Sequence, residues 1–136
     1  MEIKRFDATI STDKLQESKN FYIDHFGFQL VYESDWYIEL ISPQSPYFGI
    51  SFTLPQREAG EFFHGKGLIL SFEVANADSE CQRLKAAGLA VFQDLQDKPW
   101  GERSFVIDDP NGVHLYIYQS IAPTSEYQRL YDSFKG

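Results

Sequence analysis

One order of local signals occurs twice along this chain of 136 residues and limits the folds that it can adopt. Each copy begins with alternating apolar and polar residues, continues with a helical pattern that ends at a glycine, and finishes with short strand-like runs between turns. This matching order, rather than sequence identity between the halves, predicts two βαβββ modules.

In the first half, residues 3–11 alternate and place Phe6 on the same face as the apolar residues that follow. Asp13, with Gln16 three positions later, predicts an incomplete capping box, and Gly27 predicts the end of that helix. Three strands are then expected, at about 28–33, 36–41 and 48–54.

The second half repeats the order after a polar segment that is rich in glycine. Residues 68–74 alternate, Ser79 with Gln82 predicts a capping box, and Gly88 predicts the end of the helix. Strands are expected at about 89–94, 102–107 and 113–119, the last two joined by a tight turn at 109–112.

A final helix is predicted from Ser125 with Gln128, just after a proline. Its apolar side chains form a stripe that predicts docking on the body or on a second chain: Tyr127, Leu130, Tyr131 and Phe134. The predicted division is 1–54 for the first module, 55–67 for the linker, 68–119 for the second module and 120–136 for the C-terminal helix.

Composition and charge exclude several classes of protein. A hydrophobic fraction of 43% supports a packed core, and a formal net charge of −8 disfavours nucleic acids and anionic membranes as partners. Cys81 is the only cysteine, so no intrachain disulfide forms and a reducing compartment is expected. The N-terminal residues lack the apolar run of a signal peptide, and no stretch has the length of a membrane span. A cytoplasmic location is therefore predicted.

The alternation separates two faces of each predicted sheet. One face is apolar and should pack on the helices: Ala8, Ile10, Ile50, Phe52, Leu70, Phe72, Leu115 and Ile117. The other face mixes carboxylates, small polar groups and aromatic rings, which suits a small ligand if the sheet curls around it. The alternative is a solvated outer face without a ligand.

Five segments carry a resemblance to a known family. They are Leu15-Gln16-Glu17-Ser18-Lys19-Asn20-Phe21-Tyr22, Phe26-Gly27-Phe28, Phe72-Glu73-Val74, Leu84-Lys85-Ala86-Ala87-Gly88 and Asp109-Pro110-Asn111-Gly112. Over about residues 3–119 the chain resembles the glyoxalase/bleomycin-resistance/dioxygenase (vicinal oxygen chelate) superfamily. The resemblance implies an α+β fold, in which two βαβββ modules form a curved mixed sheet with a concave cavity, here followed by a C-terminal helix. It also implies a homodimer, with the cavity formed within one chain or between chains.

Metal-dependent members of this family hold a divalent cation through four inward-facing side chains. By resemblance these positions fall on Asp7, Ser51, Ile69 and Tyr116. Asp7 alone carries a good donor for such an ion, so no metal and no cofactor is predicted. The alternative is a displaced site, in which His114 and Glu73 join Asp7 or Glu39.

The preferred hypothesis is a metal-free binding protein that resembles the bleomycin-resistance members and sequesters a cationic or aromatic small molecule. No catalytic residue is assigned. The predicted ligand-binding residues are Asp7, Trp36, Tyr37, Glu39, Ser51, Ile69, Glu73, Trp100, His114, Tyr116 and Tyr118. One alternative is a metal-dependent lyase, isomerase or dioxygenase that uses the displaced site. Another is an interaction module whose terminal helix binds a partner.

Overall fold

The computed structural model describes residues 1–45, 47–55 and 62–135, and within them the chain forms eight strands and three helices. The elements are β1 (Phe6–Ser11), α1 (Leu15–Phe26), β2 (Gln29–Glu33), β3 (Tyr37–Ile41), β4 (Phe48–Thr53), β5 (Ile69–Glu73), α2 (Ala77–Ala86), β6 (Val91–Lys98), β7 (Glu102–Asp108), β8 (His114–Ser120) and α3 (Ser125–Phe134). This order confirms the two predicted βαβββ modules and the C-terminal helix. Part of the predicted linker, residues 56–61, lies outside the described residues.

The strands form two four-stranded mixed sheets with the same connectivity. The first has the order β1-β4-β3-β2 and the second has the order β5-β8-β7-β6. In each sheet the module's first strand pairs in parallel with its last strand, and the other pairings are antiparallel. The helix after the first strand makes this parallel return possible, because parallel neighbours need a long crossover connection.

Backbone contacts group the chain into two compact units. The first contains Met1–Lys66 with Asp109–Gly112, and the second contains Gly67–Asp108 with Val113–Gly136. The turn between β7 and β8 therefore belongs to the first unit, although its flanking strands belong to the second. The division predicted from the sequence remains a prediction.

In the first unit, α1 packs on the apolar face of β3 and β4. Tyr22 and Phe52 are both fully buried, with their ring centroids 5.6 Å apart. The helix ends where predicted, since Gly27 adopts the left-handed conformation with a φ of 70°. Burial of these rings contributes to the apolar stabilisation of this unit.

A buried polar network joins α1 to the 109–112 turn. The Tyr22 phenol donates a hydrogen bond of 2.6 Å to Asp109 Oδ2, and the Asn111 backbone N–H donates one of 2.8 Å to Oδ1 of the same carboxylate. The Asn111 side chain also donates to Ser18 Oγ at 2.9 Å, and its amide oxygen accepts from Thr12 Oγ1 at 2.6 Å. These bonds satisfy groups that would otherwise be buried without partners.

In the second unit, α2 packs on β6, β7 and β8 and buries Cys81 and Leu84. Burial raises the pKa of the Cys81 thiol, which favours the protonated form over a nucleophilic thiolate. Gln119 of β8 accepts a hydrogen bond from the backbone N–H of Ala77 at 3.0 Å, which joins the sheet to the first turn of the helix.

The predicted caps Asp13 and Ser79 are wrong, whereas α3 begins at Ser125 as predicted. Lys14 is the N-cap of α1 and makes no side-chain cap hydrogen bond, because its ammonium group cannot accept one; its backbone N–H donates to Thr12 Oγ1. Asn76 caps α2 by accepting from the Ser79 N–H at 3.0 Å, and Thr124 caps α3. At each helix, a Thr or Asn that lies earlier in the chain than the predicted residue accepts the hydrogen bond from a backbone N–H.

Two other expectations change in detail. The strand expected at 89–94 begins later and continues to Lys98, so β6 includes the polar residues up to the next turn. The apolar stripe of α3 leaves Leu130 50% and Phe134 88% exposed, so the helix is not buried within the described residues. No described helix combines the length and the apolar character that crossing a bilayer requires.

Candidate functional site

The predicted ligand-binding residues lie in both units. The first unit contains Asp7, Trp36, Tyr37, Glu39 and Ser51. The second contains Ile69, Glu73, Trp100, His114, Tyr116 and Tyr118. In each sheet, one side packs on the helix, and we name the opposite side the front face. Strand register places Asp7, Glu39 and Ser51 on the first front face, and Ile69, Glu73 and Tyr116 on the second.

Aromatic side chains meet a buried hydroxyl on the first front face. The Tyr37 phenol donates to Ser51 Oγ at 3.1 Å, and Ser51 is only 3% exposed. The Tyr37 ring also contacts Trp36, with centroids 5.7 Å apart, and Tyr32, with centroids 6.1 Å apart. This group presents flat apolar surface beside polar atoms, an arrangement that suits an aromatic ligand.

A guanidinium group lies between the two predicted carboxylates of this face. Arg5 Nε donates to Asp7 Oδ1 at 2.9 Å, and Arg5 Nη2 lies 3.3 Å from Glu39 Oε2. The hydrogen bond to Asp7 is the main reason why the pKa of Arg5 is raised above its usual value. Arg5 therefore offsets much of the negative field that Asp7 and Glu39 were expected to provide.

Glu102 is the centre of a hydrogen-bonded group on the second front face. Its Oε1 atom accepts from the Tyr116 phenol at 2.8 Å and from the Trp100 indole N–H at 2.7 Å. The rings of Tyr116 and Tyr118 lie beside each other, with centroids 5.6 Å apart. A carboxylate is thereby fixed next to two phenol rings.

The surroundings of both phenols in this group raise their pKa values. Burial raises the pKa of Tyr116, and it also raises the pKa of Tyr118, where the charges of Glu73 and Glu102 add to the effect. These shifts reinforce the neutral form that phenols already have at neutral pH, in which Tyr116 donates to Glu102.

The β6–β7 turn holds Trp100 against α3. Tyr131 of α3 donates its phenol hydrogen to the Trp100 carbonyl oxygen at 2.6 Å, and the Tyr127 ring meets the indole edge-to-face at 6.3 Å. Lys98 Nζ lies 5.7 Å from the Trp100 ring centroid. Trp100 is nevertheless 38% exposed, so its ring remains accessible from solvent.

The remaining predicted residues of the second unit are separated from this group or point to other partners. The His114 imidazole pairs with Asp108 and stacks on Phe92, with ring centroids 4.8 Å apart. Glu73 accepts a hydrogen bond from the Ser120 hydroxyl, and Ile69 is 60% exposed.

The four positions that the family uses for a metal ion do not fit one here. Asp7 is ion-paired to Arg5, Ser51 accepts from Tyr37, and Tyr116 donates to Glu102. The fourth position is the hydrocarbon side chain of Ile69, which has no donor atom. A divalent cation requires several unpaired oxygen, nitrogen or sulfur donors, and this set supplies at most one carboxylate.

The displaced metal site does not fit either. Strand register pairs Ile69 with His114 and Glu73 with Tyr118, so Glu73 and His114 stand four residues apart along the strands. At about 3.3 Å per residue this separation is roughly 13 Å, too far for one ion. Within the described residues, no group of three or more His, Cys, Asp or Glu side chains converges as a metal site would require.

The sequence reasoning missed three residues that the structure places among the predicted ones: Arg5, Glu102 and Asp108. A usable signal existed for two of them, since the alternation of β7 places Glu102 and Asp108 on the same face as Ser120 and His114 of β8. Arg5 lies before the start of β1 and had no such signal.

Two βαβββ modules with polar, aromatic-rich front faces define the class of protein to which this chain belongs. The family model of the Glyoxalase/Bleomycin resistance protein/Dioxygenase superfamily matches residues 5–117, and the chain is a member of that superfamily. A search of curated proteins finds no significant match.

Several solved structures share this fold. A superfamily member from Sphaerobacter thermophilus is 20% identical, with a TM-score of 0.70 over 85% of this chain and 96% of the other. TnmS3, an antibiotic binding protein from a Streptomyces species, is 19% identical, with a TM-score of 0.69 over 88% and 96%. A lactoylglutathione lyase from Agrobacterium tumefaciens is 18% identical, with a TM-score of 0.69 over 84% and 91%. At these identities the likeness shows the fold alone.

Proposed function

We propose that this protein binds a small cationic or aromatic molecule and sequesters it without a metal ion or other cofactor. The observation that carries the proposal is the group around Glu102, in which one carboxylate is fixed by Tyr116 and Trp100 beside the ring of Tyr118. Aromatic faces attract a flat cation through their quadrupoles, and a nearby carboxylate adds charge attraction.

The donor chemistry of the four family positions supports binding over metal-assisted catalysis. A lyase, isomerase or dioxygenase of this fold needs a cation that polarises a substrate oxygen, and the side chains at 7, 51, 69 and 116 do not supply its ligands. The superfamily contains bleomycin-resistance proteins, and TnmS3 is described as antibiotic-binding, so a binding role is compatible with this fold. A homodimer in the cytoplasm is part of the proposal.

Two probes of nearly the same shape test the cationic part. N-methylquinolinium carries a permanent positive charge, whereas 1-methylnaphthalene is neutral. Each is titrated into the purified protein while the tryptophan emission is followed, since Trp36 and Trp100 are both partly exposed. We expect saturable binding of the cation and weaker binding of the neutral probe. If neither probe gives a saturable change at high micromolar concentration, the proposal is wrong.

Glu102→Gln is the matching variant, because the amide oxygen still accepts from Tyr116 and Trp100 while the negative charge is lost. We expect roughly tenfold weaker binding of N-methylquinolinium and little change for the neutral probe. Glu126→Gln, on an exposed residue of α3, makes the same change of net charge and should leave both affinities unchanged. Equal effects of the two variants would remove Glu102 from the site.

Metal analysis separates the proposal from its enzymatic alternative. The protein, purified without added metal, is analysed for Zn, Ni, Fe and Mn before and after treatment with a chelator. We expect less than stoichiometric metal and unchanged probe binding after chelation. A stoichiometric ion that the chelator removes, together with a loss of binding or folding, would support the metal-dependent enzyme instead.

A further inference from the structure

The cation between Asp7 and Glu39 is part of the protein itself. The two carboxylates contact different atoms of one guanidinium, since Asp7 contacts Nε and Glu39 contacts Nη2. Their side chains are 34% and 26% exposed, so solvent screens this group only in part. Two carboxylates that contact separate nitrogens of a planar fork match a guanidinium better than a single point ion.

The Arg5 guanidinium packs against the backbone of Gly49 in β4. A Cβ atom at position 49 would stand 2.8 Å from Arg5 Nη2 and 2.9 Å from Asp7 Oδ1. Because glycine has no such atom, the Arg5–Asp7 pair lies close against β4. Arg5 Nη2 is buried there, and among the described residues its contact with Glu39 is an ion pair without hydrogen-bond geometry. The backbone of β4 and two carboxylates together form a cradle of the shape of a guanidinium.

The group of Arg5, Asp7 and Glu39 includes Asp7, which is the first of the four positions that hold a metal ion in metal-dependent members of the family. We propose that Arg5 is the resident cation of the Asp7–Glu39 cradle, that it excludes divalent metal ions from it, and that the cradle accepts a guanidinium group of a ligand only when Arg5 leaves. Arg5 thus determines which cations the first front face accepts. The inference rests on the proposed function only in taking the natural ligand to be a cation.

Arg5 is attached to the same chain as Asp7 and Glu39, so it competes intramolecularly with the guanidinium of any ligand. A group on a short flexible tether has an effective concentration in the millimolar range, and a free guanidinium must compete against it. Removing the competitor should therefore strengthen the apparent affinity for a free alkylguanidinium by roughly tenfold.

The test uses N-ethylguanidinium as the probe and the Gly49 amide signal in ¹H–¹⁵N NMR spectra of the full chain as the local readout. Arg5→Met removes the charge and keeps an apolar stem of similar length. We expect this variant to bind the probe roughly tenfold more tightly than the wild-type protein, with the shift centred on Gly49. Lys4→Met changes the net charge equally at the neighbouring exposed residue and should behave as the wild type.

Two further measurements make the result specific. In Arg5→Met/Asp7→Asn the gained affinity should be lost, because one carboxylate of the cradle is gone. Stoichiometric Mn²⁺ should leave the Gly49 signal of the wild-type protein unbroadened. Equal affinities in the wild type and Arg5→Met, gained affinity that survives Asp7→Asn, or Mn²⁺ broadening of wild-type Gly49 would each overturn the inference.

The design also covers loss of folding and failure of the proposed function. If Arg5→Met is unfolded, N-ethylguanidinium should restore its thermal unfolding transition but leave Lys4→Met unchanged, and no restoration overturns the inference. The titrations with N-methylquinolinium depend on Glu102 in the second unit, whereas these depend on Asp7 in the first. One set can therefore fail while the other succeeds.

Discussion

Replacement of Tyr22 by phenylalanine removes one hydroxyl from the most buried polar network of the first unit. Tyr22 is 0% exposed and Asp109 is 5% exposed, so neither group can exchange its partner for bulk water. The bond between them is 2.6 Å long and joins a phenol to a carboxylate. Hydrogen bonds to charged groups contribute about 1.5–3 kcal/mol, which sets the expected loss of unfolding free energy at about 2 kcal/mol.

The assay is urea unfolding followed by tryptophan emission. With a denaturant slope of about 2 kcal/mol per molar, the loss should lower the midpoint by about 1 M. Tyr47→Phe removes a hydroxyl from a residue that is 69% exposed and should change the stability by less than about 0.5 kcal/mol. Asp109→Asn completes a double-mutant cycle, in which we expect Tyr22 and Asp109 to be coupled.

The same pair predicts a dependence on alkaline pH. Burial, together with the Asp109 charge, raises the pKa of Tyr22 above its ordinary value. A raised pKa in the folded state means that the contribution is complete below the unfolded pKa of about 10 and is lost as the pH rises above it. Wild type should therefore lose more stability than Tyr22→Phe above about pH 10. Equal midpoints for Tyr22→Phe and Tyr47→Phe at neutral pH would refute the reasoning.

Three further substitutions test other parts of the fold. Gly49→Ala should lower the unfolding free energy by about 2–4 kcal/mol in urea titrations, since its Cβ would stand 2.4 Å from a backbone carbonyl oxygen; a smaller loss would mean that the strands relax. Asn76→Ala should cost about 1 kcal/mol by loss of the α2 cap, and unchanged stability would contradict the capping role. Arg103 holds Asp78 and lowers its pKa, so the thermal destabilisation by Arg103→Met should be present at neutral pH and disappear as the pH falls below about 4. A difference between the melting temperatures that persists in acid would contradict it.

The fold was predictable because its signals are local. Alternation marks the strands, and Gly27 and Gly112, with φ values of 70° and 80°, lie where a side chain would be strained. The caps were not predictable, because several Ser, Thr, Asn or Asp residues precede each helix. Which of them meets a free N–H depends on where the preceding strand ends, and that is decided by pairing with distant strands.

For the candidate site, the sequence could predict which residues share one side of a sheet, but not which side chains contact each other. Period two correctly placed Tyr116 and Tyr118 on one side of β8. The contact of Tyr116 with Glu102 depends on the register of β7 against β8 and on side-chain rotamers, and neither is encoded in the spacing. The position of Arg5 was missed for a similar reason, since its partner Glu39 lies on a strand that is not adjacent to β1.

The 109–112 turn belongs to the first unit, and this affects the order in which the chain folds. Tyr22 and Asp109 are separated by 87 positions, and Thr12 and Asn111 by 99. During synthesis the N-terminal sheet can form early, but these hydrogen bonds must wait until residues 109–112 have left the ribosome. A fragment cut at the linker would lack Asp109 and Asn111, so we expect it to be less stable than the same strands in the whole chain.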